Sequence, residues 1–212
     1  MKKKYILFIF VILVFNLESQ SEFGFSSGPV LNFSRSNLNG LVYKSNETSI
    51  RFGLNFRTQI VENVKLGCEL VYQNINFRYD SVVNSKIASI YQRNSFISIP
   101  VMIRYQSNGD KLRFFSNFGF SYNIFLGNEH ETYPSVNQNF SIKNNLMNHN
   151  CFFWGAGLEY KMEHAFFSFE LRHSISQRTI SKNQNLQVNY QNASALFSLM
   201  FPLKRNAKKL EK

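Results

Sequence analysis

The 212 residues hold only two cysteines, four prolines and one tryptophan, and only 17% of them are charged. With Cys68 and Cys151 alone, a disulfide framework is excluded. Neither cysteine lies where an N-terminal leader would end, so a lipoprotein-type lipidation site is excluded too. Beyond residue 15 no stretch approaches 18 consecutive apolar residues, which leaves no later membrane-spanning helix. The chain shows no enzyme motif, no internal repeat, no linker and no second domain, and its length suits one domain.

Carboxylates are also scarce. Thirteen Asp and Glu face 24 Lys and Arg, a formal charge of +11. A basic chain invites a nucleic-acid partner. The N-terminus argues against one. It reads MKKKYILFIFVILVFNLESQS, with three lysines, an apolar run over Tyr5–Phe15, then a short polar stretch. That is the layout of a secretory signal peptide. The run is shorter than the ~20 residues of a spanning helix. Ser19 and Ser21 place cleavage near Ser21, giving a leader over residues 1–21. Its loss removes three lysines and Glu18 and leaves +9. An exported basic protein meets anionic lipid and surface glycan rather than nucleic acid.

Phenylalanine is abundant, 23 residues of a 16% aromatic content. It falls in period-two runs bounded by turn signals, the pattern of β-strands. Eight runs stand out, approximately Phe23–Phe33, Ser49–Ile60, Val64–Arg78, Asn94–Tyr105, Lys111–Leu126, Phe152–Lys161, Phe166–Gln177 and Ala193–Phe201. Most match the roughly 9–11 residues of a tilted membrane strand. Between them, expected long loops (34–48, 79–93, 127–151, 178–192) alternate with short turns (61–63, 106–110, 162–165). An up-and-down outer-membrane barrel has long external loops and short periplasmic turns.

One phase of each strand is apolar, for example Ile50, Phe52, Leu54 and Phe56, or Ile97, Ile99, Val101 and Ile103. The other phase carries Arg51, Arg57, Lys65, Glu69, Arg104, Arg113, Glu159, Glu170 and Arg172. It also holds Gly24, Gly28, Gly53, Gly67, Gly119, Gly155 and Gly157. Glycine weakens a solvated strand but suits a crowded barrel interior. An eight-stranded barrel is just wide enough for its side chains to fill. The polar phase is therefore expected inside, as a lumen charge cluster, with Glu69, Glu159 and Glu170 pairing with arginines. Six cations against three carboxylates predict a basic lumen that water or anions must compensate. Pro100, in mid-strand, and Pro29 each predict a β-bulge. Tyr72, Tyr105, Tyr122, Trp154 and Tyr160, near strand ends, fit aromatic girdles.

The segments GFSSGPVLNFS, FISIPVMIRY, FFSNFGFSYNIFLG, FWGAGLEY and FSFELRHSIS, in that order, resemble the outer-membrane β-barrel domain widespread in Bacteroidetes, often labelled porin-family or PorT-like. The resemblance runs from about Gly24 to Phe201. It implies an eight-stranded barrel, and one branch is linked to a protein secretion and gliding apparatus. This sequence departs from the pattern at His173, where an aromatic is expected. It also departs at PLKRNAKKLEK, which follows Phe201 where such barrels often stop.

Candidate chemistry is sparse. His173 and Ser174 suggest a hydrolase pair, but adjacent strand residues face opposite sides, which defeats a base–nucleophile contact. His149 and Cys151 share a face, yet two ligands do not make a zinc site. No catalytic residue, metal site or cofactor is expected. The sequence thus predicts an all-β, eight-stranded antiparallel up-and-down transmembrane barrel over residues 22–202, with a basic periplasmic tail over 203–212. Expected partners are outer-membrane lipids and a surface or secretion-complex protein, engaged through loop 127–151. The expected role is structural or interactive, not enzymatic. A lipid-modifying enzyme and a small-solute channel are the alternatives.

Overall fold

The computed structural model describes residues 21–38, 41–83, 86–133, 148–176 and 186–203. The expected leader, the tail beyond Leu203 and most of the 127–151 and 178–192 loops lie outside the described residues. Eight strands form one closed barrel in sequence order. They are β1 (Ser21–Leu38), β2 (Leu41–Val61), β3 (Val64–Val83), β4 (Lys86–Gln106), β5 (Leu112–Tyr133), β6 (His149–Lys161), β7 (Phe166–Ser176) and β8 (Leu186–Leu203). Every neighbouring pair is antiparallel, and β1 closes on β8 with Ser21 opposite Leu203. Closure removes the free edges that an open sheet of this length would expose.

The apolar phase points outward. Phe52, Phe118, Trp154, Leu171 and Phe197 are all exposed on the outer wall. The outward runs Val64–Tyr72, Ile97–Tyr105, Phe152–Tyr160 and Phe167–Ile175 are each nine residues long, which matches the ~9–11 that a tilted strand needs to cross a bilayer. Above this band the outer wall turns polar, with Arg35, Lys44, Asn46, Arg93, Asn150 and Gln191. The connections Val61–Val64, Gln106–Leu112 and Lys161–Phe166 lie at the other end, together with Ser21 and Leu203. Short turns mark that end as periplasmic. One of them is closed by the Met162 N–H donating to Ala165 O at 2.8 Å.

The structure corrects the strand limits. The expected loops 34–48 and 79–93 are mostly ladder, since pairing continues to Leu38 opposite Leu41 and Val83 opposite Lys86. β8 begins at Leu186, inside the expected loop 178–192, and β5 and β6 extend into 127–151 as far as Tyr133 and from His149. Above the bilayer the outward face is free to be polar. The period-two signal therefore fades while the hydrogen-bonded ladder goes on.

The prolines correct a second expectation. Neither Pro29 nor Pro100 shifts the register. Pro29 stays opposite Ile50 on β2, and the β1–β8 ladder passes from Ser27 to Val30 without changing phase. Pro100 stays opposite Ser121, and the β3–β4 ladder passes over it between Ser98 and Val101. Each proline forgoes pairing with one neighbour only, the side on which its missing N–H would have donated. The register does shift between β4 and β5, but at Ser95/Phe96, where Leu126 of β5 is the extra residue between their partners Gly127 and Phe125.

Candidate functional site

Inward side chains of all eight strands meet on the barrel axis, and the charged ones form two tiers. In the periplasmic tier Glu159, fully buried on β6, accepts from Arg57 Nη1 at 3.2 Å, Arg104 Nη2 at 2.9 Å and Gln106 Nε2 at 2.7 Å. Lys65 Nζ stands 4.0 Å from the same carboxylate and 2.5 Å from Glu22 Oε1. The Arg104 guanidinium lies 3.4 Å above the Phe115 ring. In the second tier Arg172 reaches Glu69 through both terminal nitrogens at 2.8 Å, and its Nε donates to Glu170 at 2.6 Å. Arg51 adds a 2.9 Å bond to Glu69, and Asn117 adds one of 2.9 Å to Glu170. Arg172 also lies over Phe153, 4.7 Å from the ring centre. Charge-assisted and bidentate bonds of this kind are what make buried ions tolerable.

Eight of the nine expected cluster residues meet here: Arg51, Arg57, Lys65, Glu69, Arg104, Glu159, Glu170 and Arg172 are all buried. Arg113 does not join them. It sits opposite Glu159 in the β5–β6 register, but that carboxylate is already held by Arg57, Arg104 and Gln106. Arg113 Nε instead donates to Gly109 O at 2.8 Å, on the periplasmic turn. Glu22 replaces it in the network. It lies one residue before the expected start of the first strand, and only its inward parity marks it. The lumen charge is therefore corrected. Among the described residues five buried cations face four buried carboxylates, not six against three. The rings of Phe115 and Phe153 were also missed, because the inner phase reads as polar unless every residue of that parity is counted.

Glycines make room for these ions. A Cβ on Gly155 would lie 2.5 Å from Glu170 Oε1 and 2.9 Å from the backbone oxygen of Leu171. Gly155→Ala should therefore displace Glu170 from Arg172 and Asn117. We expect a loss of about 1–3 kcal/mol, as for overpacked cores, read by urea unfolding in lipid vesicles.

Above the second tier lies a knot of polar side chains. Tyr190 OH contacts His149 Nε2 and, at 2.9 Å, Cys151 Sγ, and the Asn123 amide lies within 3.2 Å of all three. His149 and Cys151 share the inner face, and among the described residues no third His, Cys, Asp or Glu joins them. Between knot and ions is a cavity of about 20 Å³, room for roughly one water. His173 and Ser174 do not meet. His173 is on the outer wall against Trp154, with ring centres 4.5 Å apart, and Ser174 lines the internal cavity.

A barrel of this shape has many solved counterparts. The chain is similar to neisserial surface protein A, at 8% identity over 84% of this chain and 97% of that one, with a TM-score of 0.46. It is similar to the outer membrane protease OmpT of Escherichia coli, at 10% identity over 87% and 97%, with a TM-score of 0.48. It is also similar to the outer membrane protein AlkL, at 9% identity over 89% and 93%, with a TM-score of 0.46. No curated protein sequence matches it. The family model for the outer membrane protein beta-barrel domain matches residues 16–179, most of the chain. With its closed eight-stranded barrel and apolar outer wall, the chain belongs to that outer-membrane family.

Proposed function

We propose that this protein is a self-plugged, non-enzymatic barrel with a structural or interaction role, accessory to a secretion or motility complex of the PorT-like kind. One observation carries this reading: among the described residues the buried ion network spans the lumen, and the cavity beside it measures about 20 Å³. Open aqueous channels belong to barrels of about 16–18 strands. A chain with a closed interior meets its partners at its ends. The longest connection, within 127–151, is the partner-binding segment, the leader 1–21 is cleaved on export, and the basic tail 203–212 lies in the periplasm.

Two alternatives are weaker. A lipid-modifying enzyme would need His173 and Ser174 on one face, and they lie on opposite faces. A small-solute channel would need continuous space through the two tiers. In planar bilayers the purified protein should show no stepwise conductance. Affinity capture from membranes should lose its partners when residues 134–147 are removed, a deletion that spares β5 and β6. Stepwise currents, or an unchanged partner set, would each overturn the proposal. Lipid A mass spectra should be identical with and without the protein.

A further inference from the structure

We infer that the outer wall holds one phosphorylated lipid of the outer leaflet, its phosphate on Arg35 and Lys44 and an acyl chain in the groove below them. The first ground is charge. Arg35 on β1 stands directly opposite Lys44 on β2, and both are exposed just above the apolar band. The Cβ atoms of such a pair lie about 5 Å apart, and like charges so placed repel. Among the described residues neither has a carboxylate partner. Arg93, also above the band on β4, differs, since Glu129 lies 3.7 Å from it. A phosphate between Arg35 and Lys44 answers both cations, because a guanidinium donates to it through two parallel N–H groups and an ammonium meets it as a point charge.

The second ground is shape. A groove of about 820 Å³ crosses the outer wall from β5 to β8 and β1. Ala156, Ala193 and Ala195 line it between the larger Phe118, Trp154 and Leu171. Side chains that end at Cβ leave there a depression in a wall otherwise set with bulky residues. The third ground is register. Leu31 borders the groove opposite Ala193, and Phe33 and Arg35 follow it on the same face of β1. Four strand residues span about 13 Å, and the hydrocarbon of one leaflet is about 15 Å deep. One lipid therefore reaches from the groove to the cations. Counterions compete for the charges and bulk acyl chains for the groove. A molecule that carries both groups makes the second contact at high effective concentration. The site is independent of any partner held by residues 127–151.

The probe is bisphosphorylated lipid A, added to the full-length protein folded in detergent and followed by native mass spectrometry. The expected result is one retained lipid per barrel. Dephosphorylated lipid A should bind about thirtyfold more weakly, the loss of two cation–phosphate contacts. Arg35→Gln combined with Lys44→Gln should weaken lipid A to the same extent, while Arg93→Gln should not change its binding. Ala195→Phe fills the groove without altering a charge and should weaken both forms. Inorganic phosphate in excess, at constant ionic strength, should not displace the lipid. Heat-shifted migration in gels reports that each variant is folded. Equal binding of the two lipid forms, or displacement by inorganic phosphate, would overturn the assignment. So would an Ala195→Phe variant that separates a dimer while the lipid stays bound, because the groove would then seat a second copy of this chain.

Discussion

Replacing Glu159 with alanine should destabilise the barrel by about 3–5 kcal/mol, the range for breaking a buried ion pair from one side. Glu159 is fully buried and is the shared acceptor of Arg57, Arg104 and Gln106, with Lys65 at 4.0 Å. Its loss leaves five buried cations against three carboxylates. Nothing apolar can stand in, because the guanidiniums remain. Glu159→Gln keeps the shape and one acceptor oxygen and should cost less, so the difference isolates charge from packing. Removing Arg104 as well, as Arg104→Met, should give back part of the loss, since residues in one network are not additive. Arg113→Ala is the comparison. It lies at the same register level on the neighbouring strand, but its Nε donates to a turn carbonyl, that of Gly109. It should cost no more than the ~0.5 kcal/mol of an ordinary surface change. Urea unfolding in lipid vesicles measures all four. If Glu159→Ala and Arg113→Ala cost the same, the periplasmic tier contributes nothing to holding the barrel together.

Parity carried most of what was legible beforehand. Strand number, closure and the sense of each face follow from period-two alternation, because a strand in a bilayer must show lipid one set of side chains and its neighbours' side chains the other. The same parity brought eight charged residues to one interior without saying which would touch. Glu69 and Arg172 are 103 residues apart in sequence, and only the register of the three strands between β3 and β7 sets them 2.8 Å apart. Parity fails where its cause ends. Past Phe33 and Tyr72 the outward residues are no longer held to lipid, and beyond Phe33 and Arg78 the strands run on unannounced through Leu38 and Val83. It fails at Arg113 for another reason: three nearer donors saturate the carboxylate opposite. Tyr190 was assigned to a loop on the same fading signal, so the knot it closes with His149 and Cys151 could not be assembled from sequence.

Phe118→Arg should cost about 2–4 kcal/mol in a bilayer, the penalty for arginine facing lipid near mid-depth. Phe118 is at the centre of the outward run from Leu112 to Ile124 on β5, beside Ile103 and Trp154, and is 64% exposed. In a water-soluble barrel that exposure would make the substitution nearly neutral, within about 0.5 kcal/mol. The two classes of barrel thus differ in the size of the effect at the same site, and the solvent alone makes the difference. Depth supplies the internal control. Asn150 is exposed on the next strand, two residues above Phe152 and so just above the apolar band. Arginine there reaches the headgroups and should cost about 0–1 kcal/mol. Folding each variant into vesicles and titrating with urea should give Phe118→Arg a midpoint well below that of Asn150→Arg. Equal midpoints would mean that the outer wall at Phe118 does not meet hydrocarbon. The assignment of Phe52, Leu171 and Phe197 to the same surface would then fall with it, because one register ties their strands into one wall.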